Sequence, residues 1–134
     1  MPLQFANPSG LHDPQPNGYS HVATVTGPAR LIYIAGQGGE NAVGQLPPDF
    51  AAQVEQALDN LVTALASAGA GVTDVVKLTV LIVDHSEQHL GVLAQALKRR
   101  WNSAMAPACT LIPVPRLALD GMLFEIDATA ALDV

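Results

Sequence analysis

The sequence predicts a single α+β domain in which one mixed β-sheet is backed by two helices on one face. Three observations predict it. The apolar pattern alternates between a period of two and a period near 3.6, giving the order β-β-α-β-α-β-β. The 134 residues are the usual span of one domain, and no repeat, low-complexity tract or long linker divides them. Hydrophobic residues make up 49% of the chain and charged residues 13%. A core is easily built from such a chain, and some of its apolar surface is expected to be covered by another subunit.

Residues 7–18 hold Asn7, Pro8, Gly10, Pro14, Pro16, Asn17 and Gly18, a density of turn formers that predicts a loop. His21 to Thr26 and Arg30 to Ala35 read as two strands of a hairpin joined through Gly27-Pro28-Ala29. Gly36-Gln37-Gly38-Gly39 is expected to break the second strand, and residues 40–49 form a further loop.

Asp49 is placed to cap a helix from Phe50 to Ala68, in which Val54, Ala57, Leu58, Leu61 and Leu65 recur at helical spacing. Gly69 and Gly71 end it. Asp74 to Val83 is rich in β-branched residues and reads as a buried strand. Ser86 is the candidate cap of a second helix, Glu87 to Trp101, with Leu90, Leu93, Leu97 and Trp101 on one stripe. Cys109 to Val114 and Gly121 to Ala130 are the last two strands. The period of two in the final strand puts Glu125 and Asp127 on one face, opposite Phe124, Ile126 and Ala128.

Charge narrows the function. Twelve acidic residues against six basic ones leave a net charge of −6, which gives phosphates nothing to collect on. Nucleic acid is therefore not an expected partner. The one basic cluster, Lys98-Arg99-Arg100, falls in the last turn of a helix, where cations complement the dipole. A single cysteine, Cys109, excludes an intramolecular disulfide and a Cys-rich zinc site. His12, His21, His85 and His89 do not converge on one element: His85 and His89 are four apart, but Ser86 starts the helix and leaves His85 outside it. No metal is expected. Met1-Pro2-Leu3-Gln4-Phe5 lacks a signal peptide's basic start and apolar run, and no apolar stretch reaches the ~20 residues of a membrane span. A soluble, cytoplasmic protein without membrane association is expected.

Several strings, taken with the element order, resemble the RidA family, also called YjgF or L-PSP endoribonuclease-like proteins. They are Asn17-Gly18-Tyr19-Ser20, Ala35-Gly36-Gln37, Ala51-Ala52-Gln53 through Leu58-Asp59-Asn60, Ala68-Gly69, Asp74 through Val80, Val83-Asp84, Pro107-Ala108 and Glu125-Ile126-Asp127-Ala128. The resemblance spans nearly the whole chain as one domain, 1–134. It implies a chorismate-mutase-like homotrimer with pockets between subunits, no cofactor, and hydrolysis of a small imine or enamine to a carbonyl and ammonia. It also implies Glu125 as the residue that positions water, with Tyr19 and Gly36 lining the pocket beside Cys109 and Thr110. In active members an arginine follows the Pro-Ala pair and clamps a substrate carboxylate with its planar fork. Here that position is Cys109, and Arg116 is the nearest replacement in sequence.

Plainer readings stand beside these. Glu125 can be a solvated strand residue, Tyr19 a loop-packing aromatic, and Cys109 a small core hydrophobe rather than a nucleophile or redox-sensitive thiol. The leading expectation is a RidA-like imine or enamine deaminase. The alternative is a non-catalytic small-molecule-binding or regulatory trimer of the same family, and the ribonuclease of the family's older label is a third. No Walker sequence, G-x-G-x-x-G or G-x-S-x-G elbow is present, so nucleotide hydrolysis is unsupported.

Overall fold

The structure, a computed structural model, describes residues 3–134; Met1 and Pro2, at the start of the segment read for a leader, lie outside the described residues. The elements are β1 (Leu3–Ala6), β2 (Val22–Val25), β3 (Ala29–Gly38), α1 (Phe50–Ser67), β4 (Val75–Val83), α2 (Glu87–Arg100), β5 (Ala108–Val114) and β6 (Phe124–Asp133). Short 3₁₀ turns lie at 15–17, 72–74 and 103–105.

The α+β class and the two helices hold; the single sheet does not. Four strands form a mixed sheet in the order β3-β6-β4-β5, parallel only between β4 and β5. β1 and β2 form a separate antiparallel pair, with Leu3 opposite Val25 and Ala6 opposite Val22. The expected hairpin between 21–26 and 30–35 is therefore absent, and an N-terminal strand takes its place as the partner of β2. Gly27, at φ +82°, turns the chain, and Pro28 has no N–H to close a hairpin ladder.

The helix ends follow the expected chemistry. Asp49 accepts from the Ala52 N–H at 2.9 Å to start α1, and Ser86 accepts from His89 at 3.1 Å to start α2. Gly69, at φ +80°, lets the chain leave α1 in a left-handed turn. Arg99 and Arg100 reach from the end of α2 to Glu55, and Arg100 also reaches Asp59, so this basic cluster ties the two helices together. Pairing with both arginines lowers the Glu55 carboxyl below its usual range, the Arg99 hydrogen bond contributing most.

The core lies between α1 and the sheet. Val54, Leu58, Leu61 and Leu65 pack in one buried cluster with Val75, Leu78, Val80, Ile82, Phe124, Ile126 and Ala128. Each such aliphatic or aromatic side chain contributes about 1.5–3 kcal/mol when fully removed from water. Trp101 closes the cluster at the end of α2, its Nε1 donating to the Val72 carbonyl at 2.7 Å.

Gln53 is a polar member of the interior, fully buried and hydrogen-bonded through both its side-chain nitrogen and oxygen. Its Nε2 donates to the carbonyls of Pro47 and Gly121, and its Oε1 accepts from the Leu123 N–H, each at 2.8 Å. It clasps the loop before α1 to the turn before β6. That turn, with Gly121 at φ +85°, delays the last strand to Phe124–Asp133 from the expected 121–130.

Among the described residues the other face of the sheet carries no helix. Tyr33 is 73% exposed on it, and Leu31 and Ile112 are nearly half exposed. Among the described residues no helix is long and apolar enough to cross a membrane.

Candidate functional site

Strand register decides which candidate residues can meet. Leu78 is paired on one side with Cys109 and on the other with Ala128, and all three side chains therefore point the same way. Leu78 and Ala128 are core residues, so Cys109 faces the helices. Leu81 is paired with Ile112 and Glu125, three residues along β4 and so on the opposite face. Glu125 and Cys109 thus lie on opposite sides of the sheet. The expected single pocket holding Glu125, Gly36, Tyr19, Cys109 and Thr110 is not formed within one chain.

One half gathers at the β3–β6 edge. β3 does not break at Gly36, as its glycines predict, but runs to Gly38 through a bulge: Ile34 pairs with Ala128 and Gln37 with Ile126, three steps against two. The extra residue sets Gly36 against the Glu125 side chain so closely that a Cβ there would lie 2.5 Å from Glu125 Oε1. Glycine here is what allows the carboxylate its position. Among the described residues Glu125 takes part in no ion pair.

Gly36 also lines a cleft of about 740 Å³ between β3, the following loop and α1, together with Gln37, Gln56 and Asn60. Asn60 holds that loop, its Nδ2 donating to the carbonyls of Gly38 at 3.0 Å and Glu40 at 2.8 Å, while its Oδ1 accepts from Gln56. The sequence reading gave Gln56 and Asn60 no role. Their i, i+4 polar pairing was the available signal.

The other half gathers on the helix side. Ser20 bridges to Ala108, its N–H donating to the Pro107 carbonyl at 3.0 Å, and this contact brings Tyr19 beside Cys109. Both line an apolar cavity of about 190 Å³ with Leu90, Leu93, Leu97, Leu111 and Asn17. The Tyr19 hydroxyl is hydrogen-bonded to His12 Nε2 at 2.9 Å, and His21 packs edge-on against both rings. His12 and His21 were weighed only as metal ligands. A loop contact without periodicity gave no signal of their link to Tyr19.

Burial pushes the Cys109 thiol up to about 11, and the nearby Lys77 charge pulls it only part of the way back. That holds the Cys109 thiol protonated at neutral pH, which favours the core-hydrophobe reading over the nucleophile.

Thr110, one residue on, faces the open side and accepts from Lys77 Nζ at 2.6 Å. Within one chain Arg116 bonds the Leu117 carbonyl and Asp120 in its own turn and lines a different cleft from Cys109. Among the described residues no group of three or more His, Cys, Asp or Glu side chains is placed to hold a metal ion.

Comparison with known proteins places the chain. The pattern of the family described as Endoribonuclease L-PSP matches residues 12–132. The chain is 34% identical over 102 residues to the 2-iminobutanoate/2-iminopropanoate deaminase of Escherichia coli K12, covering 75% of this chain and 78% of that protein. It is 38% identical over 103 residues to the protein of the same name from Bos taurus, covering 75% and 72%. A solved structure of the conserved Rid family protein YyfB from Yersinia pestis superposes with a TM-score of 0.93 at 36% identity, over 98% of this chain and all of that one. The chain belongs to the Rid (RidA/YjgF, Endoribonuclease L-PSP) family.

Proposed function

We propose that this member of the family hydrolyses a small imine or enamine to a carbonyl compound and ammonia, in pockets shared between subunits of a homotrimer. The observation that carries the reading is the Glu125 carboxylate packed over Gly36 at a half-buried edge of an uncovered sheet face. A carboxylate there is placed to orient a water and take its proton as the oxygen attacks the C=N carbon. Returning that proton to nitrogen gives the carbinolamine, and passage of its hydroxyl proton to the same nitrogen lets the C–N bond break, so water and imine leave as carbonyl and ammonia.

Tyr19 and Cys109 face away from Glu125 in one chain, so a complete pocket needs Glu125 and Gly36 of one copy beside Tyr19 and Cys109 of another. The helix-free face, with Leu31, Tyr33 and Ile112 exposed, supports association between copies. The names of the Escherichia coli and Bos taurus relatives support the reaction class. The neutral thiol in place of an arginine favours a second reading, a trimer that binds a small molecule without turning it over.

Ammonia release from freshly generated imine, wild type against Glu125→Gln, separates the two. A large loss in the variant supports hydrolysis. Equal rates remove the mechanism, and ligand-induced thermal stabilisation without turnover selects the binder. Sedimentation that finds only monomer at working concentration would refute a shared pocket.

A further inference from the structure

We propose that the cavity beside Tyr19 selects a neutral imine carrying a branched apolar substituent, which sits among Leu90, Leu93, Leu97 and Leu111 where a carboxylate would otherwise be clamped. The proposal rests on the hydrolase reading and names its substrate class.

The walls come first. Four leucine side chains line a half-open cavity of about 190 Å³, with Asn17, the Tyr19 ring and the Cys109 thiol as the remaining lining. An apolar cavity of ~150 Å³ holds a benzene molecule, so this one suits a substituent of about five or six heavy atoms. Apolar walls with a few polar groups to fix orientation are the ordinary make-up of a small-molecule pocket.

Charge decides the class. Arg30 is committed to the Ala68 carbonyl, Arg99 to Glu55, Arg100 to Glu55 and Asp59, and Arg116 to Asp120. Lys77 is bound to Thr110 on the opposite face of the sheet. Lys98, the sixth basic residue, lines a separate cavity of about 220 Å³ on the other flank of Tyr19, with Trp101 and Asn102. None of the six lines the leucine cavity. Within one chain no Lys or Arg is placed to replace the hydration that a carboxylate would give up on entering it, which disfavours the acid. A neutral substituent meets no such penalty and gains apolar contact.

The test compares ligands of one shape and different charge. Isovaleramide and isovalerate are titrated into the wild-type protein by calorimetry at pH 7.5, with propionamide and acetamide as shorter probes. The amide is expected to bind at least tenfold more tightly than the acid. Each methylene removed should weaken binding about fourfold, the equivalent of ~0.8 kcal/mol of lost apolar burial. Leu90→Ala and Leu111→Ala, both at half-buried positions, should each weaken the amide several-fold while a thermal melt shows the fold intact.

Isovalerate binding as tightly as isovaleramide overturns the proposal, and so does the absence of any size dependence among the amides. If Lys98→Met abolishes binding of isovalerate in such a case, the carboxylate is received on the other side of Tyr19. Turnover is read separately, as ammonia released from the imine that an amine oxidase forms from isopentylamine and oxygen. Equal release by wild type and Glu125→Gln, with the amide preference intact, would sink the hydrolase reading and leave the subsite standing.

Discussion

Adding one methyl group at Gly36 tests whether the carboxylate position matters. The Cβ of Gly36→Ala would lie 2.5 Å from Glu125 Oε1, 2.6 Å from Cδ and 2.9 Å from Cγ. Restoring an ordinary contact of about 3.4 Å moves the carboxylate by about 0.9 Å. Displacements near 1 Å in a catalytic group cost about a hundredfold in rate. The expected fall in kcat is therefore about 30- to 100-fold, or ~2–2.7 kcal/mol of barrier.

Stability should barely change. The atoms that must yield belong to the end of a flexible side chain, and Gly36 is not among the glycines at positive φ. Loss of backbone freedom in the unfolded chain even favours alanine by ~0.4–1 kcal/mol. Initial rates of ammonia release, read beside a thermal melt and with Glu125→Gln as reference, give the answer. A folded Gly36→Ala protein within twofold of the wild-type rate refutes the argument that Gly36 exists to seat Glu125.

Other outcomes follow from the same geometry. Gln53→Leu strands the carbonyls of Pro47 and Gly121 and the Leu123 N–H inside the protein, at a cost of ~3–5 kcal/mol in urea unfolding; a loss under ~1 kcal/mol would contradict the clasp. Cys109 titrates at about 11 in the folded chain, above its ordinary 9.0, so the folded state holds the proton longer. Its contribution is then full below pH 9 and disappears as pH rises towards 11, amounting to ~2–3 kcal/mol. Urea unfolding between pH 8 and 11 should show a shallower alkaline loss in Cys109→Ala, and identical slopes would contradict the burial argument. Cys109→Arg should raise isovalerate affinity at least tenfold by supplying a cation at the Tyr19 cavity; unchanged affinity would mean that the guanidinium does not reach it.

The sequence made the parts governed by local chemistry legible. Asp49 and Ser86 cap helices because their side chains answer N–H groups three residues away, and such signals sit wholly within a short window. The alternation of Phe124, Glu125, Ile126 and Asp127 likewise gave the two faces of the last strand. What was missed depends on pairing across the chain. Leu3–Ala6 is four residues followed by turn formers, and only its ladder with Val22–Val25 makes it a strand. Gly36 reads as a breaker by propensity, yet the bulge uses it to keep the strand and free the carboxylate. Cys109 and Glu125 each have a known parity within their own strands. Whether those parities coincide is fixed by the β4 register, which no local pattern carries.

That register also separates two demands on one reaction. In the proposed reaction the carboxylate over Gly36 would serve the attacking water, and the leucine cavity beside Tyr19 would serve the part of the substrate that does not react. Because the strands lie between them, a change of residue at position 109 alters charge on the helix side without touching the Gly36–Glu125 contact. Binding preference can therefore change while the water-positioning group stays where it is. A chain with a thiol in place of a guanidinium need not be an inactive one. For the proposed reaction, the sheet that divides the two halves within a chain calls for a second copy, whose carboxylate would be set opposite the leucines.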